Sequence, residues 1–241
     1  MTKIQKNVLG EDLENFLEKP LKTIAKKAEK IELMEIKGIT KLKFRERNIF
    51  EGHDDHGHKE DDHDDHAGHE GHNHGEFDAH IWLDPSNAKE MVHEIAHELG
   101  DLDPANKDKY EANAEATIKA LDQLISDVGT DINSDAKFVV FHDAYQYFEE
   151  RFGVRAAGAL TLNTDVLPGA KQIADIQDVI KDKGIKCIFS EPQFNPKIIT
   201  TIAKDMNIKT GVFDPLGANI DPGKSLYFKL ISNLGNELKG C

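Results

Sequence analysis

Cysteine is nearly missing from this chain, which has only Cys187 and Cys241 among 241 residues. That excludes a Cys-rich zinc site, and the two are too far apart for a redox CxxC pair. Two readings of them stay open. They join in one disulfide, which would stabilise the fold by roughly 4 kcal/mol in the chain-entropy model and imply an oxidising compartment such as a periplasm. Or one is a buried thiol and the other a frayed terminal one. Long apolar runs are lacking as well. No stretch reaches the length needed to cross a bilayer, so the chain reads as soluble. The basic start, Met1 to Lys6, is followed by no apolar h-region, so no signal peptide is expected here. Positive charge is scarce, with 30 Lys and Arg against 44 Asp and Glu and a formal net charge of −14. Such a surface repels phosphates and argues against nucleic acid as a partner.

The acidic excess is concentrated. Residues 51–76 carry ten acidic side chains and one Lys, −9 of the total, leaving −5 for the rest. The same segment holds eight of the twelve histidines: His53, His56, His58, His63, His66, His69, His72 and His74. This low-complexity composition cannot bury a core and is expected to be disordered. Neutral imidazoles interleaved with carboxylates suit zinc, copper or nickel far better than magnesium or calcium. The segment therefore reads as a loop for exchangeable metal capture. A purification tag would instead be a run of consecutive histidines.

The remainder is 39% hydrophobic over the whole chain, enough for a core. After a helix-sized N-terminal segment (10–30) and an irregular strand region (31–50), two helices are predicted. Asp84 caps the first, Pro85 opens it, and Ala88, Val92, Ile95 and Leu99 mark its buried stripe. Asp103 and Pro104 open the second, which runs to about Val128 with Tyr110, Ala114, Ile118, Leu121, Ile125 and Val128 on one face. The C-terminal half then alternates strand and helix four times: strands at 137–141, 154–160, 185–189 and 208–213, helices at 145–152, 168–183, 196–206 and 222–238. That alternation is the mark of an α/β fold with a parallel sheet covered by helices.

In open parallel sheets, ligands bind beyond the carboxyl ends of the strands. Those ends here carry His142, Glu191 and Asp214, a convergent set of metal donors. A second motif competes. His93-Glu94-Ile95-Ala96-His97 matches HExxH, the zinc-protease pattern in which two histidines bind metal and the glutamate acts as base. Its helical phase argues against it, because His93 and His97 share a face with Glu90, Glu94 and Asp101 and should point to water. A zinc metalloprotease thus stays the rival reading, beside a periplasmic zinc buffer.

Five blocks carry a resemblance: HIWLDP at 80–85, VVFHDAYQYFEERFG at 139–153, CIFSEPQFNP at 187–196, FDPLGANI at 213–220 and the terminal LKGC. In this order, from about Asn7 onward, they resemble the zinc branch of the cluster A-I family of metal-binding proteins that serve ABC importers. The His/Asp-rich insertion before HIWLDP belongs to the same branch. The resemblance implies two α/β lobes joined by a long spine helix, with zinc held between them by three histidines. By motif His80 matches the second and His142 the third. Glu191 and Asp214 match acidic positions that ligate metal in manganese relatives, and the Cys187–Cys241 pair matches a disulfide. Val8 to Glu14 resembles a turn that in the family follows the first histidine, so the signal peptide, first strands and one ligand are expected to be absent from the chain as given. The implied division is a partial N-terminal lobe at 1–102 containing the loop 51–76, a spine helix at 103–132, and a C-terminal lobe at 133–241. The implied role is non-enzymatic: a periplasmic monomer that carries zinc as its transported ligand to a membrane permease.

Overall fold

A computed structural model describes residues 6–9, 20, 23, 29–50, 76–162, 164 and 167–241. The eight loop histidines, and most of the helix expected at 10–30, lie outside the described residues. The chain opens with a parallel pair, β1 (Lys6–Leu9) and β2 (Glu29–Glu32). Helix α1 spans Pro85–Leu102 and α2 spans Lys107–Asp131. Beyond them come β3 (Phe138–His142), α3 (Gln146–Phe152), β4 (Ala159–Thr161), α4 (Ala170–Asp182), β5 (Cys187–Ser190), α5 (Lys197–Met206), β6 (Lys209–Val212) and α6 (Leu226–Leu238). No helix among the described residues is long and apolar enough to cross a membrane.

Strands β3 to β6 form one all-parallel sheet in the order β4-β3-β5-β6. Alternation along a strand sends neighbouring side chains to opposite faces, and in β3, β4 and β5 both faces are buried, while the edge strand β6 is exposed. Phe138 and Val140 of β3, with Cys187 and Phe189 of β5, join a cluster that includes Leu121, Leu124 and Val128 of α2 and Leu230, Leu234 and Leu238 of α6. Val139, Phe141 and Ile188 face the other way, onto Ile176, Val179 and Ile180 of α4 and Ile199, Ile202 and Ala203 of α5. The order also matters for function. The chain enters at β3, steps out to β4, then crosses back to β5, so the direction of travel reverses between β3 and β5. A crevice opens at the carboxyl ends of the two strands at such a switch point. His142 ends β3, and Glu191 immediately follows β5.

The alternation read from the sequence is present, with shifted boundaries. The second strand lies at the end of its expected span; Ala157 and Gly158 already bond to Phe138 and Val140 of β3, and the outer edge at Ala157 and Ala159 takes Phe50 and Asn48. The last helix starts at Leu226, after the turns that follow Pro222. Two details of the helix pair need correction. Ile95 and Leu99 are 37% and 38% exposed, whereas Met91, Ala96 and Gly100 are buried beside Ala88. The buried stripe is rotated because small residues let α1 approach its neighbour: a Cβ on Gly100 would stand 3.1 Å from Lys107 Cγ. And Pro104 opens a 3-10 turn at Pro104–Asn106 ahead of α2, with the Asp103 carboxylate accepting from Asn106 and Tyr110 side chains. Asp84 caps α1 as expected, accepting from the Ser86 N–H at 2.7 Å. Cys187 and Cys241 form a disulfide that fastens the last residue to the start of β5.

Candidate metal centre

His80 and His142 come from segments 62 residues apart, and their Nε2 atoms stand 3.4 Å from each other. Tetrahedral zinc takes nitrogen at about 2.0–2.1 Å, which puts two ligand nitrogens about 3.3–3.4 Å apart. The ring centroids are 5.3 Å apart and the planes are inclined by 58°, so the rings converge on their nitrogens without stacking. Both rings are largely covered, with side-chain exposures of 18% for His80 and 10% for His142. Trp82 stands beside His80, and Phe194 meets His142 edge-on. A pair of nitrogens so spaced in an apolar, partly closed crevice can hold one soft or borderline cation.

Each imidazole is backed by a carboxylate. Asp78, fully buried, accepts from the His80 backbone N–H at 2.9 Å and meets the His80 Nδ1 at 2.5 Å with the same oxygen. Glu191 accepts from the His142 N–H at 3.3 Å and meets Nδ1 at 2.6 Å, again with one oxygen. The other oxygen of Glu191 is buried, and this carboxylate also lies against the Tyr145 hydroxyl. Asp214 is occupied differently. Its carboxylate accepts from Gln193 Nε2 and from the N–H groups of Leu216, Gly217 and Asn219, closing the turn after β6. The structure therefore brings His80, His142 and Glu191 into one cluster and engages Asp214 in its own turn.

What holds the two histidine segments together is α3, the helix that begins four residues after His142. Gln146 donates to Asp78 at 2.8 Å, and the Tyr147 hydroxyl donates to the Asp78 carbonyl at 2.8 Å while accepting from the Leu42 N–H at 2.9 Å. Arg151 forks onto Asp84 with bonds of 2.6 and 2.9 Å. Arg45, lying over the Phe50 ring, bridges Asp143 and the buried Glu149. Burial pushes the Asp143 carboxyl up to about 7, against the opposite pull of Arg45. From the other side, Trp82 donates to the Pro215 carbonyl and the Tyr227 hydroxyl donates to the Trp82 carbonyl. Sequence reasoning missed Asp78, Gln146, Tyr147, Arg151 and Arg45. Only Asp78 had a local signal: an aspartate two residues before a histidine can accept from that residue's N–H as an Asx-turn.

The HExxH helix presents another arrangement. His93 and His97 are exposed on α1, as their phase requires, and the donor atoms of Glu94, His97 and Glu98 lie within 4.8 Å of one another.

Residues 8–241 match the family described as ZnuA, zinc-uptake complex component A, periplasmic. The high-affinity zinc uptake system protein ZnuA of Brucella abortus (strain 2308) is 47% identical over 250 residues, spanning 96% of this chain and 75% of that protein. Among solved structures, a mutant of the laminin-binding adhesin Lmb from Streptococcus agalactiae aligns with a TM-score of 0.72 at 27% identity, covering 98% of this chain and 81% of that one. A crystal structure of ZnuA aligns with a TM-score of 0.71 at 25% identity, covering 97% and 79% respectively.

Proposed function

Because this chain belongs to the ZnuA family of periplasmic zinc-uptake components, we propose that it captures zinc on the Nε2 atoms of His80 and His142 and delivers it to the permease of an ABC importer. The observation that carries this reading is the 3.4 Å separation of those atoms, the span of two neighbouring ligands on a tetrahedral ion. Nitrogen donors favour zinc over the harder divalent cations of the periplasm. Glu191, with one oxygen on the His142 ring, orients that ring and offers its second, buried oxygen as a further donor. Asp214 would have to release backbone N–H groups to reach a metal, so we assign it to shaping the rim. Histidines 53–74 gather zinc at lower affinity and pass it on. The protein acts as a monomeric carrier, and no covalent bond in a substrate is made or broken. The rival protease reading would need HEIAH to do chemistry, and casein hydrolysis abolished by Glu94→Gln would establish it.

Titration calorimetry tests the assignment. His142→Ala is expected to lower zinc affinity far more than removal of residues 53–74, and the reverse order would overturn it. Delivery is tested by zinc-dependent association with the permease in membrane vesicles, which a simple zinc buffer would not show.

A further inference from the structure

Three nitrogens converge on one buried carboxylate. Asp78 receives the His80 N–H and the His80 Nδ1 on one oxygen and Gln146 Nε2 on the other. The Gln146 amide cannot turn round, because the same Nε2 also donates to the Lys43 carbonyl at 3.2 Å. Reversing it would set an oxygen against that carbonyl and another against Asp78. The ionised carboxylate satisfies both the backbone N–H and Gln146 as acceptor-only, whereas a proton on it would have to point at Nδ1. An ionised oxygen 2.5 Å from Nδ1 requires the proton to sit on Nδ1. From this chain of contacts we infer that Asp78 is a positioning residue, locked by Gln146, which fixes His80 as the Nδ1–H tautomer and leaves the Nε2 lone pair facing His142 before any metal arrives. Its role in metal capture rests on the zinc reading above; the tautomer itself does not.

The same device occurs at the second imidazole. Glu191, just past the end of β5 and 49 residues away, uses one oxygen for both the N–H and the Nδ1 of His142. A 3.4 Å Nε2 contact would suit an N–H···N bond, so two rings with both Nε2 lone pairs free hold that distance only under a restraint that overcomes lone-pair repulsion. The grip of α3 on residues 78–84 supplies that restraint. Positioning partners of this kind typically change metal affinity 10–100-fold when removed.

An asparagine at 78 exposes the logic. With its oxygen toward His80, its amide collides with the Gln146 amide, donor against donor. Turned the other way, its amide faces the His80 N–H and donates to Nδ1, which moves the ring proton to Nε2 and blocks the metal lone pair. Either way one conflict remains. Replacing Gln146 by leucine removes the first conflict and lets the favourable orientation return.

The test is long-range proton–nitrogen NMR of the metal-free full chain at pH 8, with the His80 ring identified by its absence in His80→Gln. Wild type is expected to show a protonated Nδ1 and a bare Nε2. Asp78→Asn is expected to populate the Nε2–H form and to lose 10–100-fold in zinc affinity by competition with a chelator. Asp78→Asn with Gln146→Leu is expected to restore the Nδ1–H form and recover part of the affinity. A wild-type spectrum showing Nε2–H would overturn the inference without any variant, so a failure of Asp78→Asn to fold leaves the test intact. An Asp78→Asn protein with unchanged ring shifts and unchanged affinity would overturn it too. If wild type shows Nδ1–H but zinc leaves the His80 signals unmoved, the tautomer assignment stands and the zinc reading fails.

Discussion

Replacing Arg151 with methionine asks how much of the site's architecture hangs on one ion pair. Methionine keeps most of the apolar stem, so the change reports the guanidinium and not lost packing. Asp84 is 4% exposed and would lose bonds of 2.6 and 2.9 Å, keeping only the Ser86 N–H at 2.7 Å. Removing one partner of a fully buried pair costs about 3–5 kcal/mol. The Arg151 side chain is 33% exposed, however, so water can enter the vacated space and solvate Asp84. With that discount the expected loss is about 1–3 kcal/mol. At about 2–4 °C per kcal/mol for a chain of this size, Tm should fall by about 2–12 °C. Urea unfolding of the metal-free protein measures the loss, and a double-mutant cycle with Asp84→Asn isolates the pair. Zinc affinity should fall in parallel, because Asp84 follows His80 by four residues and anchors its segment to α3. A change within 0.5 kcal/mol, with no coupling in the cycle, would refute the idea that this clamp holds the histidine segment.

Tyr147→Phe leaves the Leu42 N–H and the Asp78 carbonyl without their partner, and it should destabilise the fold by about 1–3 kcal/mol near neutral pH. Burial pushes the Tyr147 hydroxyl up to about 12, with the neighbouring Asp78 charge adding to it. A phenol whose pKa is raised on folding contributes stability in full below its unfolded value of about 10, and that contribution is lost as pH rises through 12. Wild type should therefore converge on Tyr147→Phe between pH 10 and 12 in denaturant unfolding, and a constant gap would count against it. Gly211→Ala is a second stability test. Its Cβ would meet the Phe189 ring and stand 2.5 Å from Glu237 Oε2, the carboxylate that accepts the Val212 N–H. Overpacking of this kind costs about 1–3 kcal/mol, read as a lower midpoint at unchanged slope in urea.

The parallel sheet was legible because its strands are short apolar runs separated by helices with clear stops, and both faces of such a sheet are buried. His142 and Glu191 were marked as candidates because the topology dictates where strand ends must lie. His80 was harder. It precedes α1 in an irregular segment with no periodicity, and only the likeness of HIWLDP to a known family marked it. The rotated stripe of α1 was illegible for a simple reason. Hydrophobic periodicity identifies apolar residues, but here alanine and glycine face inward while Ile95 and Leu99 stand over the groove toward α2. The supporting shell was hidden for a different reason. Gln146, Tyr147 and Arg151 look like the polar side of a short amphipathic helix, and their partners lie 67 to 69 residues away in sequence.

Helix α3 follows directly from the residue that ends β3 and grasps the segment bearing the other imidazole. The two rings therefore ride on one stiff unit, placed as a bidentate pair would be for the proposed zinc. A chelator assembled in advance surrenders little freedom when its guest arrives, so more of the gross attraction appears as affinity. If the pair holds zinc as proposed, α3 would keep its two rings from spreading, and the ion would leave from the open side of the pair.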